Sequence, residues 1–340
     1  MTQINTEKDS LRSMRKTKKR RKFLRYSLVI FVLFILGAAG VVASEFHRLN
    51  PLNHFNHLKV IGTTSTAISG YKEKSGVFNV LLIGSDARKT DPAGHTDSIL
   101  LVHADLNNHR YDVMSLPRDS RVYMPGIGYT KLTSVQYISQ IQHGSKQGVV
   151  DAINSISNLT GVPINYYAET NYWGFQDMVN AIGGIEMDVP FNVTLTHPWY
   201  KKNKNKVITA GTQSLDGEMV TEIVHERDSV PGTDFGRQEL QERALIGIAK
   251  KIMQPANITK LPALSRSASS FLVATNMTTD DFVSIGLGVK SDFHPQQQIK
   301  YHQLKGKSMV MYDDVLKRDN DEVVLDPVKL KEVVQKYFTN

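Results

Sequence analysis

The chain has 340 residues with 41 Lys and Arg, 33 Asp and Glu, and no cysteine, which excludes disulfides, thiolate metal sites and a cysteine nucleophile. Its formal charge of +8 would favour a nucleic-acid partner only if the excess covered the folded body. Residues 1–25 hold ten basic and two acidic side chains, so the remainder balances (41 − 10 = 31 basic, 33 − 2 = 31 acidic). We therefore predict no nucleic-acid partner.

The basic tail, residues 1–25, is followed by an uncharged stretch over residues 26–44. At ~1.5 Å per residue this stretch spans roughly 28 Å, about one hydrocarbon core. Basic residues stay on the cytoplasmic side, where they can also meet anionic lipid headgroups. We predict a single-pass type II anchor in the cell membrane, with the catalytic part outside facing the wall. A cleaved signal peptide is the alternative.

Residues 45–75 are predicted to form an extracellular linker, and residues 76–340 one extracellular domain. Apolar runs bounded by turn residues predict strands, and 3.6-residue periodicity predicts helices. The alternation of the two indicates an α/β domain. The predicted strands cover residues 77–84, 98–105, 111–116, 164–170 and 185–190, and the predicted helices cover 133–142, 147–159, 171–182 and 327–337.

Polar residues lie at the ends of the first three predicted strands. If these strands form an up-down-up meander, Asp86, Asp97 and Arg118 reach the same rim of the sheet. Two neighbouring carboxylates repel unless a proton or cation is shared, and Mg²⁺ commonly takes one or two carboxylates together with phosphate. The alternative is that both aspartates cap turns or pair with Arg88 or Arg118.

A second polar group lies at the start of a helix predicted to begin near residues 236–237. Arg237 and Gln241 fall within its apolar stripe and are expected to point inward. An inward arginine at a helix N-terminus needs an anion, for which a phosphate is suited. An internal salt bridge of Arg237 to Asp234 or Glu226 is the alternative.

Three arginines could then share one anion. Arg227 lies one loop before the helix and could reach the same anion. A pyrophosphate site is therefore suggested by three arginines, Arg118, Arg227 and Arg237, beside the two aspartates. The sequence contains no P-loop string and no Gly-x-Ser-x-Gly elbow. A P-loop NTPase and a serine hydrolase are therefore disfavoured.

Seven strings occur in order over about 165 residues, and together they resemble the LytR-CpsA-Psr family of cell-wall ligases. They are NVLLIGSDAR (79–88), GHTDSILLV (94–102), SLPRDSRV (115–122), KLTSV (131–135), residues 161–190, SLDGEMVTEIVHER (214–227) and TDFGRQELQ (233–241). The resemblance implies an α/β fold: one α/β/α domain whose central mixed β-sheet is flanked by helices, preceded by one transmembrane helix.

The resemblance also implies an activity. The family moves a glycopolymer (teichoic acid, capsular or other wall polysaccharide) from a polyprenyl-pyrophosphate carrier to peptidoglycan, forming a phosphodiester with the help of Mg²⁺ or Mn²⁺. By motif position, Asp86 and Asp97 resemble the metal ligands, and these two with Arg118 the catalytic group. The alternative is that Asp86 or Asp97 takes the proton of the attacking hydroxyl. The implied phosphate-binding set is Arg118, Arg227, Arg237 and Gln241, with Arg88 and Arg121 also in motif strings.

Two positions depart from the family pattern. The family often has arginine where this chain has His95 and His225, and a histidine is only partly charged near neutral pH. The affinity for pyrophosphate is therefore expected to be weaker or pH-dependent, unless the two imidazoles have a different role. Two other functions stay open: a phosphatase or pyrophosphatase acting on the same lipid carrier, and a membrane-anchored regulator that binds a wall lipid without turnover.

Overall fold

The computed structural model describes residues 43–62, 73–88, 93–258, 260–289 and 293–339. The chain divides into two units: residues 1–50, of which 43–49 are described as a helix, and residues 51–340. Within the described ranges, no helix is long and apolar enough to cross a membrane. The predicted anchor, residues 26–44, lies almost wholly outside these ranges and stays a prediction.

The second unit contains, within its described part, fourteen strands and seven helices of 9 to 19 residues. The strands are β1 Val77–Ser85, β2 Thr96–Asp105, β3 Arg110–Ser115, β4 Arg121–Met124, β5 Gly128–Lys131, β6 Tyr166–Asn171, β7 Ile185–Val189, β8 Val193–Thr194, β9 Val207–Ile208, β10 Gly211–Leu215, β11 Ala274–Thr275, β12 Ile299–Gln303, β13 Gly306–Asp313 and β14 Arg318–Leu325. The longer helices are α1 Leu132–His143, α2 Ser145–Thr160, α3 Tyr172–Ala181, α4 Gly217–His225, α5 Asp234–Ile252, α6 Thr279–Gly288 and α7 Pro327–Tyr337. Single turns cover Pro51–His54, Lys201–Asn203, Pro255–Ile258, Leu261–Arg266, Ala268–Phe271 and Pro295–Gln298.

The central sheet has the order β11-β6-β1-β2-β3-β12. β1, β2 and β3 are antiparallel neighbours, which confirms the predicted meander. β6 runs parallel to β1, and β12 runs parallel to β3, so the sheet is mixed. Because β1 and β3 run in the same direction, their ends and the start of β2 meet at one rim.

Both faces of this sheet are buried. On one face Leu81 and Ile83 join a core with side chains of α1, α2 and α7. On the other face Phe78 and Val80 pack with the region around α6. Alternate side chains of a strand point to opposite faces, so the nearly continuous apolar run of β1, interrupted by Asn79, is what a doubly covered strand requires. The predicted mixed sheet with helices on both sides is thereby confirmed.

Part of the segment predicted to be a linker belongs to the domain. Phe55 is 1% exposed, and its ring centroid lies 4.4 Å from that of Phe78. The Ile61 N–H donates to the Ile164 carbonyl at 2.8 Å. Complete burial of one phenylalanine stabilises the fold by roughly 2 kcal/mol. The residues directly beside Phe55 are polar (Asn53, His54, Asn56 and His57), so its pattern indicates no element.

The predicted strand over 185–190 forms, but outside the central sheet. It is β7, which pairs only with β10 among the described strands. Together with α3, α4 and α5 it surrounds a second core that includes Val179, Val220 and Leu240. This second core holds the N-terminal end of α5 next to the rim of the central sheet, where Arg237 Nη2 reaches the Asp97 carbonyl.

Candidate functional site

Asp97 lies at an irregularity of the β1–β2 ladder. Gly84 pairs with Ser98 and Ser85 pairs with Thr96, so Asp97 is an extra residue without a partner on β1. Such a bulge bends a strand and redirects a side chain, and bulges are common beside active sites. The strand begins at Thr96, two residues earlier than predicted, and Asp97 is therefore fixed within the sheet rather than in the preceding loop.

Arg118 follows β3 and pairs with Asp97. Its Nη1 donates to Asp97 Oδ1 at 2.5 Å, and the two side chains are 22% and 21% exposed. Burial acts to lower the pKa of Arg118, but the charge and hydrogen bond of Asp97, together with the charges of Asp119 and Asp234, outweigh it and the pKa is raised. The Arg118 carbonyl accepts from Thr133 N–H at 2.9 Å, which ties the arginine to the first turn of α1. The alternative pairing of Asp97 with Arg118 is thus realised.

Asp86 is held by the loop that precedes β2. Its Oδ1 accepts from the His95 N–H at 2.6 Å, and its Oδ2 lies 3.4 Å from His95 Nδ1. Burial acts to raise the pKa of Asp86, but hydrogen bonds from His95 prevail and lower it. The same hydrogen bond raises the pKa of His95, whose ring stacks on Tyr137 at 4.4 Å. Asp86 is therefore ionised, and His95 carries a proton over a wider pH range than a free histidine.

Close packing of this loop requires a glycine at position 94. A Cβ there would lie 2.5 Å from Ser85 Oγ and 2.6 Å from the Ala87 nitrogen. The Gly94 N–H donates to Gln140 Oε1 of α1 at 2.9 Å. The backbone approach at Gly94 therefore sets the position of His95 relative to Asp86.

Arg237 points inward from the first turn of α5, as predicted. It is 4% exposed, its Nη2 donates to Asp234 Oδ1, and the same nitrogen lies 3.3 Å from the Asp97 carbonyl oxygen. Burial lowers its pKa. The alternative salt bridge to Asp234 is present, whereas Glu226 instead accepts from the Thr196 N–H at 2.7 Å. The helix begins at Asp234, two residues before the predicted start.

Gln241 and Arg227 lie beside this arginine. Gln241 Oε1 accepts from Ser98 Oγ at 3.0 Å, one residue beyond Asp97. The Arg227 side chain is 41% exposed, and its Nε lies 3.5 Å from Asp228 Oδ1. The positive charge of Arg227 contributes to the lowered pKa of Arg237. The arginines therefore act on each other, which favours binding of an anion between them.

His225 ends α4 and differs from His95 in its electrostatics. Solvent reaches its side chain, yet surrounding protein atoms desolvate it and lower its pKa. Asp97, Arg118 and Arg237 all influence the pKa of His225, so its ring borders the same cluster.

Two arginines of the motif strings are placed differently. Arg88 is exposed, and its guanidinium lies 5.4 Å from the ring centroid of Trp199. Arg121 donates through Nη1 to fully buried Glu322 and, at 3.1 Å, to the Tyr312 carbonyl. The structure therefore joins Arg121 to the β13–β14 hairpin and does not bring it to Asp97.

Asp86 and Asp97 provide the kind of ligands that Mg²⁺ prefers. Both carboxylates act on the same imidazole, that of His95, and so lie near one another. Over the described ranges, no group of three or more His, Asp or Glu side chains could hold a metal. Two carboxylates suffice when phosphate and water oxygens complete the shell. The residues present therefore fit such a cation in chemistry and number.

Gln238 is a member of the site that the sequence did not reveal. Its Oε1 accepts from Ser115 Oγ at 2.8 Å, and its Nε2 donates to Asp234 Oδ2 at 2.8 Å. It thus orients the carboxylate that holds Arg237. One signal was available, because Gln238 is four residues after Asp234 and on one helix face with it.

Comparison with known proteins identifies a matching family. The LytR_cpsA_psr family model matches residues 48–330. The chain is 29% identical over 254 residues to the polyisoprenyl-teichoic acid–peptidoglycan teichoic acid transferase TagU of Enterococcus faecalis, covering 74% of this chain and 77% of that protein. Among solved structures, Lin1025 of Listeria innocua matches with 27% identity and a TM-score of 0.57, over 77% of this chain and 96% of the other.

A second solved structure, TagV of B. subtilis, has 22% identity and a TM-score of 0.62 over 77% of this chain and 97% of the other. At that identity the likeness bears on the fold alone, which is the mixed α/β fold described above. The family model covers more than four fifths of the chain, including every candidate site residue from Asp86 to Gln241. The chain therefore belongs to the LytR_cpsA_psr family.

Proposed function

We propose that the chain is a transferase that moves a glycopolymer from a polyprenyl-pyrophosphate carrier to peptidoglycan, forming a phosphodiester. The observation that carries this proposal is the convergence of Arg118 and Arg237 on Asp97: one binds its carboxylate and the other its carbonyl oxygen. Arg227 contributes a third positive charge that acts on Arg237, and α5 begins at this point, so the arrangement is suited to an anion of high charge.

In the proposed reaction a sugar hydroxyl of peptidoglycan attacks the phosphorus nearest the polymer. The new O–P bond forms as the P–O bond to polyprenyl phosphate breaks, and the proton of the hydroxyl passes to solvent. The leaving phosphate gains negative charge, which Arg118, Arg227 and Arg237 stabilise. Gln241 would donate a neutral hydrogen bond to the same group from its place beside Ser98.

The two aspartates are better suited to hold a cation than to remove a proton. Asp97 is paired with Arg118, and hydrogen bonds from His95 lower the pKa of Asp86, so Asp86 is a weak base. We propose that Asp86 and Asp97 hold Mg²⁺, or Mn²⁺ in its place. When bound, this ion supplies positive charge to the transferring phosphoryl group.

The location that follows is outside the cell, at the membrane. The basic tail and the uncharged stretch over residues 26–44 support a single-pass type II anchor. A lipid-linked donor and a wall acceptor are both present only on that side. Membrane lipid is accordingly a proposed partner, with the lipid-linked glycan and peptidoglycan as donor and acceptor.

A transfer assay tests the proposal. The full chain in detergent would receive a polyprenyl-pyrophosphate glycan and peptidoglycan oligomers, with Mg²⁺ or with a chelator. The expected result is glycan joined to peptidoglycan, with polyprenyl phosphate as the second product. Release of inorganic phosphate without an acceptor would establish the phosphatase instead, and tight binding with no product would establish the regulator.

A further inference from the structure

Both tryptophans of the chain lie in one aromatic cluster. Trp199 stacks on Tyr172 with ring centroids 4.7 Å apart, and it meets Trp173 edge-on at 5.1 Å. Tyr200 lies 6.2 Å from Tyr172. All four side chains are partly exposed and none belongs to a hydrophobic core. We call these residues the aromatic platform: Tyr172, Trp173, Trp199 and Tyr200.

The loop that carries Trp199 is held by a buried carboxylate of α4. Glu222 is 1% exposed and accepts from the N–H groups of Trp199 at 2.7 Å and Tyr200 at 2.9 Å. Asn203 Nδ2 adds a third hydrogen bond at 3.2 Å. A glutamate buried to bind loop N–H groups fixes the loop, so the platform is pre-organised before any ligand arrives.

The platform adjoins the proposed pyrophosphate site of Arg118, Arg227 and Arg237 through three contacts. The Tyr172 ring lies 6.5 Å from that of His225, whose pKa responds to Asp97 and Arg118. The cap of α3, Asn171, donates to the Ala87 carbonyl at 3.3 Å, next to Asp86. Arg88 itself lies over Trp199. A ligand whose phosphates lie between the arginines would therefore extend its next group across the platform.

The chemistry of the platform fits a saccharide. Pyranose rings present C–H groups that pack on electron-rich aromatic faces, while their hydroxyls bind charged groups at the edge. Arg88 borders Trp199, and Lys202 lies 5.4 Å from the Tyr200 ring centroid. A polyprenyl chain would need an apolar, enclosed surface, whereas these rings are partly exposed to solvent and bordered by cations.

We propose that Trp199, packed against Tyr172 and Trp173, binds a pyranose ring beside the pyrophosphate site, with Arg88 as a donor to the hydroxyls of that ring. This inference rests on the proposed transferase function and adds the residue that recognises sugar. The saccharide can come from the donor glycan or from the acceptor, and both share the chemistry just described.

The test compares ligands with and without sugar on the full chain in detergent. Farnesyl pyrophosphate, farnesyl-pyrophosphoryl-N-acetylglucosamine and a phosphate-free chitotetraose, the last added with farnesyl pyrophosphate, would be titrated by calorimetry. In Trp199→Leu we expect Kd for one sugar-bearing ligand to rise roughly tenfold, and Kd for farnesyl pyrophosphate alone to stay unchanged. Trp199→Phe should restore most of the loss, because it keeps an aromatic face.

The ligand that loses affinity identifies the source of the sugar: the linked N-acetylglucosamine for the donor, chitotetraose for the acceptor. Tyr312→Leu, which removes an aromatic ring that is 50% exposed elsewhere, is the matched control and should change neither. Unchanged affinity for both sugars in Trp199→Leu would overturn the inference while leaving the transferase proposal intact. Failure of the unaltered chain to bind any pyrophosphate would refute the transferase proposal instead.

Discussion

Arg118 and Asp97 form an ion pair that joins the end of β3 to the bulge of β2, with Nη1 and Oδ1 2.5 Å apart. Each side chain is about one fifth exposed, so the pair is neither buried in the core nor free in solvent. An arginine has five N–H donors, of which this contact uses one. The pair therefore positions a cation whose remaining donors can bind phosphate oxygens.

Replacement of Arg118 by Ala should lower the transfer rate by about 10²–10³, because one pre-organised donor to developing charge is lost. Arg118→Lys should recover only part of the rate, since lysine cannot offer the planar fork. The rate would be measured as glycan joined to peptidoglycan. Arg318→Ala, which removes an exposed arginine of β14, is the control and should leave the rate unchanged. Full activity of Arg118→Ala would contradict the assigned role.

Replacement of Arg227 is expected to weaken ligand binding, and replacement of Arg121 to lower the free energy of unfolding. Arg227→Ala should weaken the binding of farnesyl pyrophosphate about tenfold or more, because a charge-assisted hydrogen bond contributes about 1.5–3 kcal/mol. Its free energy of unfolding should stay within about 0.5 kcal/mol, since the side chain is 41% exposed. Calorimetric titration and urea denaturation would give the two quantities.

Arg121→Ala should destabilise the fold and leave the binding of farnesyl pyrophosphate unchanged. It leaves Glu322 buried without its cation, so the free energy of unfolding should fall by about 3 kcal/mol. Affinity for farnesyl pyrophosphate should not change, because the guanidinium contacts the β13–β14 hairpin. A loss of affinity with unchanged stability would place Arg121 in the phosphate site after all.

A third prediction concerns the cation. Asp86→Asn should raise the Mg²⁺ concentration needed for half-maximal transfer, because an amide is a weaker ligand for a hard cation than a carboxylate. A chelator should abolish transfer by the unaltered chain, and added Mg²⁺ should restore it. Binding of Mn²⁺, followed by electron paramagnetic resonance, gives a readout independent of activity. Equal Mn²⁺ affinity in Asp86→Asn would contradict the assignment of this ligand.

The strands and helices could be read from the sequence because their signals are local. β1 is a nearly continuous apolar run, and α7 extends from Pro327 to Tyr337 as its pattern predicts. The position of the site at one rim of the sheet could also be predicted, because a meander of these strands places Asp86, Asp97 and Arg118 together. The bulge at Asp97 could not be read, because it depends on the pairing of Gly84 and Ser85 with β2.

Side chains that act over long sequence distances were not predictable in the same way. Arg118 and Arg121 are three residues apart in one motif string, yet only Arg118 faces the rim. A turn at Arg118 and Asp119 precedes β4, which carries Arg121, and the partner of Arg121, Glu322, is 201 residues away in sequence. Trp199 was likewise missed, because its position depends on Glu222 in a helix that follows it.

The last prediction concerns acid stability and rests on His103 of β2. The side chain is 1% exposed, Nδ1 lies 2.8 Å from Asn79 Oδ1, and the ring lies 5.9 Å from that of Phe338. Burial, aided by the charge of Arg110 and opposed by Asp112 and Asp105, lowers its pKa to about 4. The folded state therefore holds this histidine neutral under conditions in which the unfolded chain is already protonated.

The sign of the effect follows from proton linkage. Below the unfolded pKa of 6.5 the unfolded state binds the extra proton, so the stability due to neutral His103 is fully present above pH 6.5 and is lost as pH falls towards 4. The loss should amount to about 3 kcal/mol. Urea denaturation of the full chain in detergent at several pH values would measure it. His103→Gln should show a shallower fall in the free energy of unfolding over this range; parallel curves for both proteins would show that His103 does not titrate as inferred.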